Sequence, residues 1–131
     1  MTVITFGTFD IFHIGHLNIL RRASEMGDRL VVGVSSDRLN FSKKQRYPLY
    51  TQQQRMAIVG QIKGVDAVFL EESLEKKAEY IRQFSARILV MGDDWTGRFD
   101  HLQGLCQVCY LPRTPLISTT SVIAMLRSQP V

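Results

Sequence analysis

The segment Gly7-Thr8-Phe9-Asp10-Ile11-Phe12-His13-Ile14-Gly15-His16 holds two histidines three positions apart with a glycine between them. On a helix that spacing puts His13 and His16 on one face. Gly15 removes a side chain where a ligand or the backbone must come close. A helix start also presents unpaired N–H groups that attract anions. Two imidazoles beside them can donate hydrogen bonds to phosphate oxygens and stabilise the charge that develops in phosphoryl transfer. A second segment, Leu111-Pro112-Arg113-Thr114-Pro115-Leu116-Ile117-Ser118-Thr119-Thr120, joins an arginine to a hydroxyl cluster. Arg113 can clamp a phosphate through two donors, and Ser and Thr hydroxyls at a helix start make an anion site. Taken singly, the first segment reads as two unrelated histidines and the second as an ordinary cap. Their placement after strands is what favours a polyphosphate lying across a sheet edge.

The elements that must position them follow from periodicity. Short β-branched or aromatic runs at residues 3–6, 30–34, 67–70, 88–91 and 108–111 predict five buried strands. Helical spacing predicts helices over 16–26, 51–62, 73–84, a short one over 98–105, and a last one from Thr119 or Thr120 to about 127. The second opens on Thr51-Gln52-Gln53-Gln54, a capping-box pattern, and should bury Met56, Ile58 or Val59, and Ile62. Repeated strand–helix alternation predicts an α/β fold, a doubly wound five-stranded parallel sheet with helices on both faces. Such sheets bind ligands at the carboxyl ends of their strands. Residues 40–50 are polar, contain Lys43, Lys44 and Arg46, and read as a functional loop.

The 131 residues suit a single domain, 1–131, large enough for a core without disulfides. Hydrophobic residues make up 45% and charged residues 21%, which excludes disorder, collagen and coiled coil. No apolar run approaches the roughly 18 residues that cross a bilayer. The N-terminal residues have no signal-peptide pattern, so a cytoplasmic protein without membrane contact is expected. The net charge of +4 suits an anionic ligand and is too small to argue for nucleic acid. Cys106 and Cys109 fall in a strand-like run, where residues three apart point to opposite faces, so a structural role is expected. Neither G-x-x-x-x-G-K-[ST] nor G-x-G-x-x-G is present.

Gly-Thr-Phe-Asp with H-x-G-H, then Met91-Gly92-Asp93-Asp94-Trp95, then Arg113-Thr114 and Ile117-Ser118-Thr119-Thr120 resemble the small bacterial cytidylyltransferases of the glycerol-3-phosphate cytidylyltransferase kind. The likeness runs over essentially the whole chain, in the same order. It implies a Rossmann-like sheet, transfer of CMP from CTP to a small phosphomonoester with release of pyrophosphate, Mg²⁺ bound with CTP, and a homodimer. It also implies roles. Thr8 and Phe9 would lie against the nucleotide, with Asp10 and Gly15 close by. His13 and His16 would contact the CTP phosphates and stabilise the transition state, with Lys44 and Arg113. Arg113 through Thr120 would cradle the β- and γ-phosphates, including Thr114, Ile117, Ser118 and Thr119. Arg46 would meet the same phosphates, and Gly92, Asp93, Asp94 and Trp95 the nucleoside end. Lys44, Arg55 and Lys77 would bind the acceptor. No set of protein ligands for a metal is expected.

An acceptor phosphate is already ionised at neutral pH, its second pKa being about 6, so no general base is needed. Three positions depart from the family pattern. Leu116, after Pro115, stands where a glycine is usual; the segment 35–47 is one residue longer; Leu74 replaces a tryptophan. All three lie on the acceptor side or near it. Glycerol 3-phosphate, giving CDP-glycerol, is the first expectation for the acceptor. Alternatives are phosphocholine or a phosphorylated amino-acid amide such as phosphoglutamine, used in surface polysaccharide, and adenylyl transfer from ATP. A non-catalytic nucleotide sensor and an RNA binder are the readings from other classes.

Overall fold

The computed structural model describes residues 1–115 and 117–129. Five strands, β1 (Thr2–Gly7), β2 (Arg29–Ser35), β3 (Ala67–Glu71), β4 (Ala86–Gly92) and β5 (Gln107–Leu111), pair in parallel in the order β3-β2-β1-β4-β5. The chain runs outward from β1 to β3, then crosses to the other side of β1. That reversal between β1 and β4 is the switch point at which a doubly wound sheet opens a crevice outside its strand ends. Thr5, in the middle of β1, donates its hydroxyl to Val90 O at 2.6 Å, a polar tie inside the sheet at this seam.

Alternate side chains serve two cores, as a sheet covered on both faces requires. Val3, Val32, Val34, Ile88 and Val90 pack with Leu20 and Ala23 of α1 (Ile14–Ser24) and Val59 of α3 (Gln52–Gly60). Ile4, Phe6, Val31, Leu89 and Met91 pack on the other side with Ile81 of α4 (Lys77–Gln83), Phe99 and Leu102. Cys106 lies in the second core and Cys109 packs against the first, both as free thiols, on opposite faces as expected. Cys106 precedes β5 by one residue.

Several helices differ from expectation. α1 begins at Ile14, two residues early, because His13 is its cap. Residues 40–44, the first half of the expected polar loop 40–50, belong instead to α2 (Asp37–Lys44). Ser36 caps it by accepting Leu39 N–H at 3.0 Å, Asp37 complements the dipole at its start, and Lys43 and Lys44 do so at its end. Only Leu39 and Asn40 are buried, so the helix carries no apolar stripe to betray it. Ser73 caps only a 3₁₀ turn, Leu74–Lys76, and α4 starts at Lys77. The short helix expected over 98–105 is a 3₁₀ turn, Asp100–Leu102. α3 starts after Thr51 with the expected capping box and buries Val59, with Met56 and Ile62 packed against the same core; it ends at Gly60, Ile58 is exposed, and Arg55 is buried as well. α5 (Thr119–Ser128) starts where expected and has no buried residue. Leu116 lies outside the described residues.

One buried ion pair shapes the second core. Lys77 pairs with Glu71, the last residue of β3, and both are almost fully buried. Burial pushes the Lys77 ammonium below its ordinary pKa, while Glu71 acts in the opposite direction. The ammonium also sits over the Phe6 ring at 4.2 Å and near Phe99 at 5.0 Å. Removing one partner of such a pair strands the other charge. Lys77→Met should therefore lower stability in urea unfolding by about 3–5 kcal/mol, and adding Glu71→Leu should recover most of the loss. A loss below about 1 kcal/mol for the single variant would contradict this.

Candidate active site

The loop after β1 holds two non-glycine residues in the left-handed region, Phe9 (φ 55°) and Ile11 (φ 47°). Such conformations persist only where the surroundings over-determine them. Here they do. The Phe9 ring is buried beneath Gly7, where an added Cβ would meet it at 2.8 Å. The Asp10 carboxylate accepts the N–H groups of Leu49 and Tyr50 at 2.8 and 2.9 Å. Asp10 O accepts the Thr119 hydroxyl at 2.7 Å, which ties the start of α5 to the same loop. Thr8 donates to Asn40 Oδ1 at 2.9 Å, joining α2 to it as well.

The next residues build an unusual helix start. His13 is the N-cap of α1, and its Nδ1 accepts Gly15 N–H at 3.0 Å. His16, at the third helical position, accepts His13 N–H on its own Nδ1 at 3.1 Å. This is a reciprocal capping box with imidazoles in the places usually held by Ser or Thr and by Glu or Gln. A backbone N–H can only donate, so both Nδ1 atoms are acceptors and each neutral ring carries its proton on Nε2. The rings stack with centroids 3.8 Å apart. Gly15 permits the fold-back of His13, since a Cβ there would lie 2.8 Å from its Cε1.

Both rings are held neutral. Burial, with the neighbouring His13, lowers the His16 pKa to about 3. Burial and the Arg113 guanidinium lower that of His13. Phe9 and Phe12 crowd His16 at ring distances of 5.4 and 5.3 Å. The two histidines therefore act as neutral Nε2–H donors at pH 7.

They line a cavity of about 570 Å³ at the switch point. Its wall includes Thr8, Phe9 and Asp10 from the first loop, Gly15 from the first turn of α1, Gly92 and Asp94 at and beyond the end of β4, and Lys44 and Arg46 at and beyond the end of α2. Arg113, Thr114, Ile117, Ser118, Thr119 and Thr120 also line it. Ser118 caps α5 by accepting Ser121 N–H at 3.0 Å, and Asn18 of α1 donates to Thr114 Oγ1 at 3.0 Å. Lys44, Arg46 and Arg113 supply positive charge. Such a wall can hold a polyphosphate, bring a second anion beside it and stabilise charge on non-bridging oxygens.

Four expected residues lie elsewhere. Trp95 packs against the second core and is absent from the wall. Arg55 is fully buried: it donates to Tyr50 O, Thr8 O, Ser35 O and Asp37 Oδ1 at 2.7–3.0 Å, so it braces the loops and does not line the cavity. Lys77 is in the buried pair with Glu71 and is absent from the wall. Asp93 is exposed in a 3₁₀ turn outside it. Asp10 borders the cavity, but its carboxylate is occupied by the two N–H groups of the loop. Asn18, Ile19 and Arg22 were missed and do line it. Their spacing from Gly15 is i+3, i+4 and i+7, so continuing the histidine face along the helix would have found them.

A family model described as cytidylyltransferase-like matches residues 4–125. The chain is 45% identical over 120 residues to glycerol-3-phosphate cytidylyltransferase of Bacillus subtilis (strain 168), covering 92% of each. It is 43% identical over 120 residues to the protein of the same name from Staphylococcus aureus (strain NCTC 8325 / PS 47), covering 92% of this chain and 90% of that one. Among solved structures, a lipopolysaccharide core biosynthesis protein from Thermoplasma volcanium GSS1 is similar with a TM-score of 0.77 at 23% identity, over 87% of this chain and 98% of that one. That last likeness concerns the fold alone.

The capping box separates two jobs of His16. An asparagine amide can replace Nδ1 as acceptor but has no donor at the Nε2 position; a glutamine amide reaches the Nε2 position. His16→Asn should keep most of the stability and lose about 10²–10³-fold in turnover, with His16→Gln losing less. Equal losses in both would contradict the assignment. Stability should also depend on acid. Above pH 6.5 the ring is neutral folded and unfolded and contributes nothing. Below it the unfolded chain takes up a proton that the folded chain refuses until about pH 3, so stability falls with pH across that window. Melting curves between about pH 7 and pH 4 should show a smaller fall for His16→Asn than for the unaltered protein.

Proposed function

Because the chain belongs to the cytidylyltransferase-like family, we propose that it transfers CMP from CTP to glycerol 3-phosphate, releasing pyrophosphate and giving CDP-glycerol. The observation that carries the reading is the pair of neutral histidine donors beside Arg113, in one cavity with the hydroxyls of Ser118–Thr120 and the cations Lys44 and Arg46.

The chemistry asks for positioning and charge stabilisation. An ionised oxygen of the acceptor phosphate forms a bond to the α-phosphorus of CTP. The bridging bond between the α-phosphorus and the β-phosphate oxygen breaks, and its electron pair leaves with pyrophosphate. No proton need be removed, because the acceptor oxygen is already ionised. The Nε2–H groups of His13 and His16 donate to the oxygens that gain charge. Neutral donors suit this task, since they stay fixed by their Nδ1 bonds while charge shifts. Arg113 and the α5 start hold the β- and γ-phosphates. Lys44 offsets the repulsion between acceptor and α-phosphate. With Arg55 and Lys77 withdrawn into the protein, acceptor recognition falls mainly to Lys44 and its loop.

Mg²⁺ bound with CTP belongs to the same proposal. Asp94 lines the cavity and makes no ion pair among the described residues, whereas both Asp10 oxygens are engaged. This donor set fits a cation carried by the triphosphate, with Asp94 as its protein contact. When bound, the ion would draw off charge from the leaving pyrophosphate. A homodimer is also proposed: Tyr47, Leu49, Met125 and Leu126 are each about 60% exposed, which leaves apolar surface for a second copy. No helix among the described residues is long and apolar enough to cross a membrane. The two free thiols suit a reducing compartment, and a cytoplasmic location is proposed with them.

Two measurements check these statements. With CTP and a panel of phosphomonoesters, pyrophosphate release should be fastest with glycerol 3-phosphate and slow when ATP replaces CTP. Faster turnover with phosphocholine or a phosphorylated amino-acid amide would move the acceptor and leave the reaction class intact. Light scattering in dilute solution should give twice the 15.0 kDa chain mass, and a monomer would refute the dimer.

A further inference from the structure

A second cavity, of about 410 Å³, adjoins the first and shares four wall residues with it: Arg46, Thr120, Ile123 and Arg127. Ala124 and Ser128 complete the α5 contribution. Positions 120, 123, 124, 127 and 128 follow the i, i+3, i+4, i+7, i+8 pattern, so they form one face of α5. On a surface helix of a globular protein that stripe is usually apolar and buried. Here it carries two hydroxyls and an arginine, no residue of the helix is buried, and the face borders open space. The apolar Met125 and Leu126 lie off this face and are exposed.

The stripe joins the phosphate end of the site to the far end of α5. Thr120 lies in the first turn, next to the cap at Ser118, and Arg127 lies in the last. Seven residues of helix span about 10 Å. Side chains on a helix lean toward its N-terminus, so a long side chain at 127 is directed back along the stripe toward the capped end. Arg46 enters the same space from the loop after α2. Among the described residues these two arginines are the cations that line both cavities. Planar guanidiniums present forked donors that match phosphate oxygens.

We propose that Arg127 is a substrate-facing residue: with Arg46 it forms a two-arginine clamp for the terminal phosphates of the nucleotide and for the pyrophosphate they become. The inference rests on the transferase reading above for its ligand and adds a residue that reading does not use. In the reaction the break between α- and β-phosphate shifts an electron pair onto the leaving diphosphate, so charge grows on the side where the clamp sits. The clamp offsets that charge and holds the product until release. A ligand bridging Arg46 and Arg127 also fastens the otherwise lightly packed α5 across the cleft.

The test is calorimetric titration with inorganic pyrophosphate, beside pyrophosphate inhibition of turnover. Arg127→Ala should weaken pyrophosphate binding about tenfold or more, the loss of one charge-assisted contact, and Arg127→Lys should fall between. The same variant should raise KM for CTP and leave KM for the acceptor in place. Arg82→Ala, an equal charge change on the exposed side of α4 away from both cavities, should bind pyrophosphate as the unaltered protein does. Both arginines are exposed, so neither variant threatens the fold. Pyrophosphate affinity unchanged in Arg127→Ala, lowered equally in Arg82→Ala, or undetectable in the unaltered protein would overturn the clamp. Loss of pyrophosphate affinity in Arg127→Ala, in a protein that shows no turnover of CTP, would support the clamp and refute the transferase reading. Turnover in the unaltered protein with no effect of Arg127 would do the reverse.

Discussion

Two hydrogen bonds at the start of α1, from Gly15 N–H to His13 and from His13 N–H to His16, organise the chemistry of the site. An N-cap satisfies backbone donors that would otherwise lack partners. By using imidazole Nδ1 atoms for that purpose, the chain fixes the tautomer and the orientation of both rings, and burial holds them neutral. What remains outward is a pair of Nε2–H donors, stacked and unable to rotate freely. A serine and a glutamate in the same places would cap the helix equally well, but without the paired Nε2–H donors and with a carboxylate that repels a phosphate. Gly15 follows from the same constraint, because the folded-back His13 ring occupies the space of its missing Cβ.

Around that cap, buried polar groups tie the substrate-bearing segments together. Asp10 holds the loop at Leu49 and Tyr50 through its carboxylate and α5 through its carbonyl. Arg55, without exposed surface, bonds the same loop, the end of β2, the start of α2 and the residue after β1. These charges are buried with partners, as burial demands. They do not meet the substrate. They keep the left-handed Phe9 and Ile11 in place, and through them the relation between the histidines and the cationic loop. Arg113, Lys44 and Arg46 stay at the cavity wall, so the modest net charge of +4 is expressed where a polyanion would lie. Of the cations expected there, Lys77 and Arg55 are both absorbed into the protein, while Arg22 and Arg127 come in from helix faces.

The strands were legible because short β-branched runs have few other uses in a chain of this kind. Once they alternated with helices, the location of the site followed from where a doubly wound sheet reverses its order. α2 was not legible: its sequence, Asp37-Arg38-Leu39-Asn40-Phe41-Ser42-Lys43-Lys44, is polar, and caps and end charges hold it with little burial. The histidine pair was readable as a helix-start motif, but the choice of ring nitrogen depends on backbone geometry that spacing does not carry. Arg55 and Lys77 show the complementary failure. A resemblance transfers a residue to a position, whereas the partners that bury it are set by Glu71, Asp37 and free carbonyls brought from distant segments. Arg127 lay outside the matched motifs, and only the face it shares with Thr120 and Ile123 reveals it.

The central claim is that both histidines are neutral and carry their protons on Nε2. Long-range ¹⁵N–¹H correlation spectra of the protein labelled in histidine, recorded from about pH 8 down to about pH 4, read this directly. The structure requires Nδ1 to appear as an unprotonated acceptor and Nε2 as protonated in His13 and His16 at neutral pH, with His16 unchanged well below 6.5, its pKa lying at about 3. An Nδ1–H tautomer in either ring, or a His16 titration near 6.5, would contradict the account.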